Sequence, residues 1–449
     1  MLGWLLVNAD RYGRSDSRTV ARRLSWLPEG FIPRLQRAKL VRTLKYVYRH
    51  SAAQRRLWAE AGVRPGDLRS PDVLTRIPFC DRRDLALHPE NYICVPPDRL
   101  THVITTSGTT GQAKKLYFTT EDLERQARMI GTKLCRLPGA SRVMALYSVE
   151  HPTWSSGAMA RRGIEKAGLF GMLVGTHKQP QEMIDLIKEY RIDTLMSVTA
   201  FAHRLTFEAK EDLRTLGVRY LLLGGQPWSE SLRQQLEEAW GAVAMDVYGT
   251  NECACGIASE CEHKDGLHIS EADFWIEILD PKTGSPQPDG EEGEIVITTL
   301  SREGMPLVRY RTGDLGHILP EHGRCACGMA VRKLSRIRGR LDDMLIIGNA
   351  NNVFPDEFDQ VVLAVPGVSD YQVIMEKEAY KDLIHLTAEA ENDTPELRQQ
   401  LVDALMKIKF IKAGCESSGT VKIGTIQGVP RGTLSCGRPK AVRIVDRRS

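Results

Sequence analysis

The sequence lacks the features that would assign the protein to a membrane, a nucleic acid or a secretory route. No uncharged apolar run approaches the roughly 18–20 residues that span a bilayer. A formal net charge of +4 on 449 residues is too small to indicate a nucleic-acid or membrane partner. The N-terminal MLGWLLVNADR is apolar over a few residues only, has no basic leader and reaches Asp10 early. We therefore expect no signal peptide and a cytoplasmic protein.

Internal repeats and low-complexity segments are also absent. The chain is too long for one compact core, which predicts two or three domains. Its 42% hydrophobic and 26% charged residues are typical of an enzyme. Ten cysteines in a cytoplasmic protein do not indicate a disulfide framework, so we expect core residues, metal ligands or both.

Hydrophobic patterning divides the chain into regions. Residues 35–60 predict amphipathic helices with solvated basic faces. From about residue 142, strand-like and helix-like segments alternate, as in RVMALYSV, PQEMIDLIKEYRI, DTLMSV, VRYLLLGG and SESLRQQLEEAWG. This alternation favours a largely parallel sheet covered by helices. After residue 270, FWIEILDP and GEEGEIVITTL are separated by turn residues and favour an antiparallel β region.

A domain boundary is predicted within IRGRLDDML, residues 337–345. Beyond it we expect a helix over PDEFDQVVLAV, a helix capped by Thr394, and strands around YQVIMEK, LIHLTAEA, TVKIGTI and KAVRIVD. The predicted fold class is α/β. A large N-terminal domain, residues 1–338, would contain mainly parallel sheets, helices and a β region, and residues 339–449 would form a small, mobile α+β domain.

The stretch TTSGTTGQAKK, residues 105–115, combines hydroxyls and glycines with two lysines. Glycines let backbone N–H groups approach an anion, hydroxyls donate to phosphoryl oxygens, and lysine supplies positive charge. The P-loop signature is not met, because four residues after Gly108 lead to Ala113 instead of glycine. Taken alone, the stretch is equally compatible with a flexible surface turn.

Five further segments, in chain order, remove this ambiguity: LLLGGQPW, DVYGTNE, YRTGDLG, GRLDDMLIIGNANNVFPDEFD and PRGTLSCGRPKAVRIVD. The set resembles the adenylate-forming superfamily of acyl-CoA synthetases, adenylation domains and luciferases, and within it the phenylacetate–CoA ligase branch. The resemblance extends from about residue 40 to the C-terminus. It implies an AMP-forming ligase that converts an aromatic carboxylic acid to an acyl-adenylate and then to a CoA thioester. A carrier-protein phosphopantetheine or an amine as the acceptor is the alternative.

The resemblance also implies a role for each motif. The residues expected around ATP are Thr106, Ser107, Gly108, Thr109, Thr110, Gly111, Lys114, Gly225, Gln226, Pro227, Asp246, Tyr248, Gly249, Asp314 and Arg340. Tyr248 would stack on the adenine. Asp314, helped by Arg340, would bind the ribose hydroxyls. Glu252 would hold the Mg²⁺ that bridges the phosphates.

The remaining implied roles concern the acid and the small domain. Lys440 would be the catalytic lysine that contacts the carboxylate and the α-phosphate during adenylation. Asp342 would be the hinge between the two domains, while Trp154 and Gly224 would line the acid pocket. A binding protein with a decayed site is the non-enzymatic alternative. Only Asn251, which stands where the superfamily usually has Thr or Ser, favours it.

A second group of residues predicts a structural zinc site. Cys261, His268, Cys325 and Cys327 would supply four thiolate and imidazole ligands with no open position. Some members of the phenylacetate–CoA ligase branch share this pattern. His263 is the rival fourth ligand, and buried cysteines that act as small hydrophobic residues are the alternative. The sequence does not separate a monomer from a homodimer.

Overall fold

The computed structural model describes residues 16–24, 26–28, 30–105, 114–147, 156–176, 178–320, 323–347, 351–379, 381–434 and 443–448. The helices are α1 (Ser17–Leu24), α2 (Phe31–His50), α3 (Ala52–Glu60), α4 (Arg82–Leu87), α5 (Thr120–Leu134), α6 (Ser156–Ala167), α7 (Pro180–Tyr190), α8 (Thr199–Glu208), α9 (Glu230–Trp240), α10 (Pro355–Val362), α11 (Pro395–Leu405) and α12 (Lys409–Ala413). None of the helices in the described ranges is both long and apolar enough to cross a membrane.

Within the described ranges, the strands form one eight-stranded sheet, two four-stranded sheets and two two-stranded sheets. They are β1 (His102–Thr105), β2 (Lys115–Phe118), β3 (Arg142–Tyr147), β4 (Phe170–Gly175), β5 (Thr194–Val198), β6 (Tyr220–Gly224), β7 (Val243–Thr250), β8 (Ala254–Ser259), β9 (Leu267–Ile269), β10 (Phe274–Leu279), β11 (Gly293–Thr299), β12 (Tyr310–Gly316), β13 (Lys333–Leu334), β14 (Gly339–Arg340), β15 (Leu345–Ile347), β16 (Asn351–Val353), β17 (Asp370–Glu378), β18 (Lys381–Glu389), β19 (Val421–Val429) and β20 (Ile444–Asp446). The two-stranded sheets pair β1 with β2 and β15 with β16, both antiparallel.

An eight-stranded sheet organises the large part of the molecule, in the order β13-β9-β8-β7-β6-β5-β3-β4. Strands β3 to β7 run parallel, whereas β8, β9 and β13 are antiparallel. Side chains of β3 alternate between two cores, with Val143 and Ala145 on one face and Met144 and Leu146 on the other. Strands buried on both faces explain the continuous apolar runs that predicted a parallel sheet.

The residues that cap the helices in the structure are those that the sequence predicts. The Ser229 side chain accepts from the backbone N–H of Leu232 at the start of α9, and Gly241 ends the helix in the left-handed conformation. Thr394 caps α11 in the same way, with Pro395 in the first turn. The α/β fold class is confirmed.

The antiparallel region predicted after residue 270 is a four-stranded sheet in the order β10-β11-β12-β14. The basic face of α2 packs near this sheet. The sequence predicts that this face is solvated, but part of it is buried. Lys39 is buried and donates to the Ala272 carbonyl at 2.6 Å and to the Ser301 hydroxyl at 2.9 Å. Its ammonium is stabilised by oxygens from two loops that are distant in the chain, which helical periodicity cannot reveal.

The C-terminal unit is a small α+β domain, as predicted. Its sheet has the order β19-β18-β17-β20, in which β17 and β18 are antiparallel and the outer strands are parallel to their neighbours. It packs against α9 of the large part, where Gln235 contacts the Leu363 carbonyl and Ser231 the Gln360 carbonyl. The boundary between residues 338 and 339 stays a prediction.

Candidate active site

Two residues that are predicted to contact the phosphates or their magnesium meet near the carboxyl end of β7. Lys114 directly precedes β2, and its Nζ lies 2.9 Å from Oε1 of Glu252, which follows β7. Burial raises the pKa of Glu252, but the charge and hydrogen bond of Lys114 outweigh it, so the net pKa is lowered. Glu252 is therefore anionic at neutral pH. The predicted residues Thr106–Gly111 lie outside the described residues.

A second group forms around Asp314. Its Oδ2 accepts from the Tyr248 hydroxyl at 2.8 Å and its Oδ1 from Nε of Arg340 at 3.0 Å. Arg340 is aligned by the pairing of β12 with β14, in which it stands opposite Asp314. Burial raises the pKa of Asp314, and Arg340 and Tyr248 oppose that shift. The three predicted residues thus form one continuous polar cluster.

Predicted glycines bring backbone close to this cluster at the carboxyl ends of β6 and β7. A Cβ on Gly224 would lie 2.2 Å from the Val247 carbonyl oxygen, and one on Gly249 would lie 2.4 Å from the Gly256 nitrogen. Gly225 has a φ of +86°, which disfavours any side chain there. Gln226 and Pro227, the next residues, are half-buried. Ligands of open parallel sheets bind at this end of the strands.

Asp246 lies in a neighbouring network, separate from the Asp314 cluster. Its carboxylate is buried 3.5 Å from Nε of Arg336, and burial raises its pKa. The Arg336 guanidinium covers the Trp228 ring at 4.8 Å and pairs with Glu230 at 3.0 Å. Asp246 therefore ties β7 to the segment that leads into β14, and its role as an ATP contact stays a prediction.

The predicted hinge residue is held by the large part of the molecule. Both carboxylate oxygens of Asp342 face Arg82, at 2.8 and 3.1 Å. Arg82 also packs on Gly313, where an added Cβ would lie 2.8 Å from its Cζ. The Arg82–Asp342 pair thus lies beside Gly313, the residue that directly precedes Asp314 in β12. This contact links α4 to the segment in which rotation of the small domain is predicted.

Lys440 and Trp154 lie outside the described residues. The chain is anchored shortly after Lys440 by Arg443, which is buried and pairs with Asp359 at 2.7 Å and with Asp370 at 3.1 Å. The small domain therefore holds Arg443, directly before β20, through two carboxylates.

The four predicted metal ligands come together away from the parallel strand ends. One donor atom each from Cys261, His268, Cys325 and Cys327 lies within 4.8 Å of the others. The Cys261 and Cys325 sulfurs are 3.8 Å apart, and Nε2 of His268 is 3.4 Å from the Cys327 sulfur. The rival His263 is largely exposed, with its Nε2 3.9 Å from Glu262. The geometry favours His268.

Comparison with known proteins decides the family. The AMP-binding enzyme family matches residues 33–301, and the AMP-binding enzyme C-terminal domain matches residues 350–448. The chain belongs to the AMP-binding enzymes. It is 34% identical to a phenylacetate-coenzyme A ligase of Thermus thermophilus over 82% of this chain and 83% of that protein. It is 30% identical to that of Aromatoleum evansii over 92% and 94%.

Solved structures show the same fold. A 2-hydroxyisobutyryl-CoA ligase in the postadenylation state, in complex with 2-HIB-AMP, overlaps with a TM-score of 0.78 at 22% identity, over 93% of this chain and 89% of that one. The same ligase in the thioesterification state, with CoA, overlaps with a TM-score of 0.63 at 23% identity, over 92% and 88%.

Sequence reasoning missed one buried cation of this AMP-binding enzyme. Arg302 donates to the backbone carbonyls of Glu252 and Tyr117, and its guanidinium lies 4.1 Å from the centre of the Phe118 ring. It thereby joins β2 to the turn that carries Glu252. No pattern in the surrounding LSREG predicts this, because its partners are 50 and 185 residues away.

Proposed function

We propose that the protein is an AMP-forming acid–CoA ligase that acts on an aromatic carboxylic acid. The observation that carries the proposal is the Lys114–Glu252 ion pair beside the cluster of Tyr248, Asp314 and Arg340. These residues come from separate motifs and converge where a nucleotide would bind. The relatives named phenylacetate-coenzyme A ligases cover most of the chain and support an aromatic acid.

The first step joins the acid to AMP. A carboxylate oxygen attacks the α-phosphate, the bond to the β-phosphate breaks, and pyrophosphate leaves with its electron pair. Negative charge builds on the phosphoryl oxygens, and preplaced cations stabilise it. Lys114 would supply one such charge, and Lys440 would supply another at the α-phosphate.

Magnesium fits the donor set near Lys114. Glu252 is buried and its pKa is lowered, so it presents the anionic oxygen that Mg²⁺ prefers. Bound there with the substrate phosphates, Mg²⁺ would neutralise charge as pyrophosphate departs. Arg302 would hold the Glu252 backbone in place through its hydrogen bond to the Glu252 carbonyl.

The Asp314 cluster would select the nucleoside. Asp314 can accept hydrogen bonds from two ribose hydroxyls, and the charge of Arg340 opposes the rise that burial causes in the pKa of the Asp314 carboxyl. The Tyr248 ring would lie against the adenine, with its hydroxyl fixed by Asp314. Gly225 would allow the adenine to approach the backbone after β6.

The second step transfers the acyl group. The CoA thiol would attack the carbonyl carbon of the adenylate, and AMP would leave. Rotation of the small domain at Asp342 would remove Lys440 from the site and admit the thiol. We infer that these steps take place in the cytoplasm, with the oligomeric state still to be measured.

Zinc fits the Cys/His cluster. Tetrahedral Zn²⁺ with sulfur at about 2.3 Å and nitrogen at about 2.0 Å requires edges of about 3.8 Å between sulfurs and about 3.5 Å between sulfur and nitrogen. The observed distances of 3.8 and 3.4 Å agree. Four protein ligands leave no open position, so the metal would stabilise the fold and take no part in catalysis.

The proposal is tested by ATP–pyrophosphate exchange across a panel of aromatic and aliphatic acids. Exchange with an aromatic acid, followed by thioester formation on addition of CoA, is the expected result. Thioester formed only on a phosphopantetheinyl carrier protein would favour the alternative acceptor. Absence of exchange with every acid would favour the binding-protein alternative.

A further inference from the structure

Lys133, in the last turn of α5, is a half-buried lysine without a carboxylate partner among the described residues. Its ammonium donates to the Gly256 carbonyl at 2.5 Å. Burial lowers its pKa to about 7, and the charge of Asp273 opposes this shift. The side chain nevertheless keeps part of its surface open. The Lys133 ammonium is therefore desolvated, while part of the side chain stays accessible.

The surroundings of Gly256 place the Lys133 ammonium near the carboxyl ends of the parallel strands. A Cβ on Gly256 would lie 3.5 Å from Nζ of Lys133 and 3.7 Å from Cγ1 of Val247. Val247 in turn touches Gly224, the last residue of β6, through its carbonyl. Gly256 and Val247 therefore connect the Lys133 ammonium to the end of β6, where the acid is proposed to lie.

The opposite side of this region is formed by α6 and β3. Ser156 begins α6, and its Oγ lies 3.6 Å from the sulfur of Cys255. Tyr147 ends β3, and it is partly open like Ser156, Val247 and Cys255. Strands β4 and β5 lie on opposite sides of β3, so the order of the strands reverses between β3 and β5. Ligands of open parallel sheets bind beside such a switch point.

We infer that Lys133 selects the acid, by donating a hydrogen bond to an oxygen that the acid carries remote from its reacting carboxyl. The inference rests on the proposed function, since it takes the acid to lie between β6, β7 and α6. The oxygen belongs to a hydroxyl or to a second carboxylate. Lys133 has three N–H donors, and the Gly256 carbonyl accounts for one of them.

The physical reason lies in desolvation. An acid with a hydrocarbon end would remove water from the ammonium and offer it no acceptor, which is unfavourable for a buried cation. An acid with an oxygen there would replace that water. Sites built to hydrogen-bond a substrate oxygen can discriminate against analogues without it by up to about 10⁴–10⁵.

The test uses aromatic acids that differ only at the remote ring position, which carries hydrogen, methyl, hydroxyl or carboxylate. ATP–pyrophosphate exchange gives kcat/KM for each acid with the wild type and with Lys133→Met, which keeps the length and removes the charge. Arg125→Met, which removes a cation from the ion pair with Glu121 on α5, is the matched control. All variants are first compared by thermal unfolding.

We expect the wild type to favour the hydroxyl or the carboxylate acid over the methyl acid by about tenfold or more. Lys133→Met should abolish that preference, and Arg125→Met should keep it. If Lys133→Met does not fold, Lys133→Gln should keep a preference for hydroxyl and lose one for carboxylate. An unchanged ratio in the folded Lys133 variants overturns this inference alone, as does a wild type that favours the methyl acid. Absence of exchange with every acid overturns the proposed function as well.

Discussion

The Lys114 ammonium lies 2.9 Å from Oε1 of Glu252, although 138 residues separate the two in the chain. We predict that Glu252→Gln, which keeps the size and removes the charge, will lower the adenylation rate by roughly 10²–10³. It should also raise the Mg²⁺ concentration needed for half-maximal rate, because a carboxylate ligand is lost. ATP–pyrophosphate exchange against Mg²⁺ concentration measures both effects.

Glu303→Gln is the matched control for this variant. Glu303 is also a carboxylate of the large part, but it pairs with Arg99 at 2.9 Å. Its replacement should leave the Mg²⁺ dependence unchanged. A Glu252→Gln enzyme with wild-type Mg²⁺ dependence would contradict the metal role of Glu252.

The same ion pair predicts a pH dependence of stability. The pKa of Glu252 is lowered in the folded state from its ordinary value of 4.5, so the stability it contributes is present above pH 4.5. That stability is lost as the pH falls through the lowered value. The unfolding free energy of the wild type should exceed that of Glu252→Gln by a constant amount from pH 8 to 5. This difference should shrink below about pH 4.5. Urea unfolding across this range measures it, and a difference that grows on acidification would refute the prediction.

Cys325→Ser should destabilise the protein more than it alters the chemistry. We expect one zinc per chain in the wild type, loss of zinc in the variant, and a lower Tm, because a closed thiolate site contributes folding energy. Metal analysis and thermal unfolding measure these changes. Cys94→Ser also alters a buried thiol, but it should retain zinc. Wild-type protein that is purified without chelator and contains no zinc would overturn the assignment.

Asp342→Pro should separate the two half-reactions. Proline fixes φ near −65°, whereas a hinge must adopt two backbone conformations. We expect one half-reaction to be spared and the other to be impaired. Asp342→Asn is the control, since it weakens the contact with Arg82 and leaves the backbone free. Equal loss of both half-reactions in folded Asp342→Pro would count against a hinge.

Lys440→Ala should affect adenylation only. The side chain is expected to contact the carboxylate and the α-phosphate, and removing one such donor typically costs roughly 10²–10³ in rate. The variant should still convert a supplied acyl-adenylate to thioester at a near wild-type rate. If adenylation from acid and ATP survives, the catalytic lysine lies elsewhere.

The sequence predicts those parts of the fold that depend on local signals. Apolar runs, the Ser229 cap and Gly241 specify β6, α9 and β7, because capping and burial on both sheet faces act within a few residues. These elements follow from side chains that are close together in the chain.

Contacts between distant elements could not be predicted in this way. Arg82 meets Asp342 across 260 residues, and Lys133 meets Gly256 across 123. Each contact depends on how a helix packs against a sheet, which leaves no periodic signal in the chain. Lys39 shows the same limit, because a basic residue at a helical position was expected in solvent and lies against the Ala272 carbonyl.

The central claim is that the acid is activated by direct attack on the α-phosphate of ATP. The most direct measurement uses an acid that carries ¹⁸O in both carboxylate oxygens, with ATP and CoA, and follows the label by mass spectrometry. We predict one ¹⁸O in AMP for each thioester formed, with the other retained in the thioester carbonyl and none in pyrophosphate. Unlabelled AMP, or release of ADP with labelled phosphate, would contradict the account.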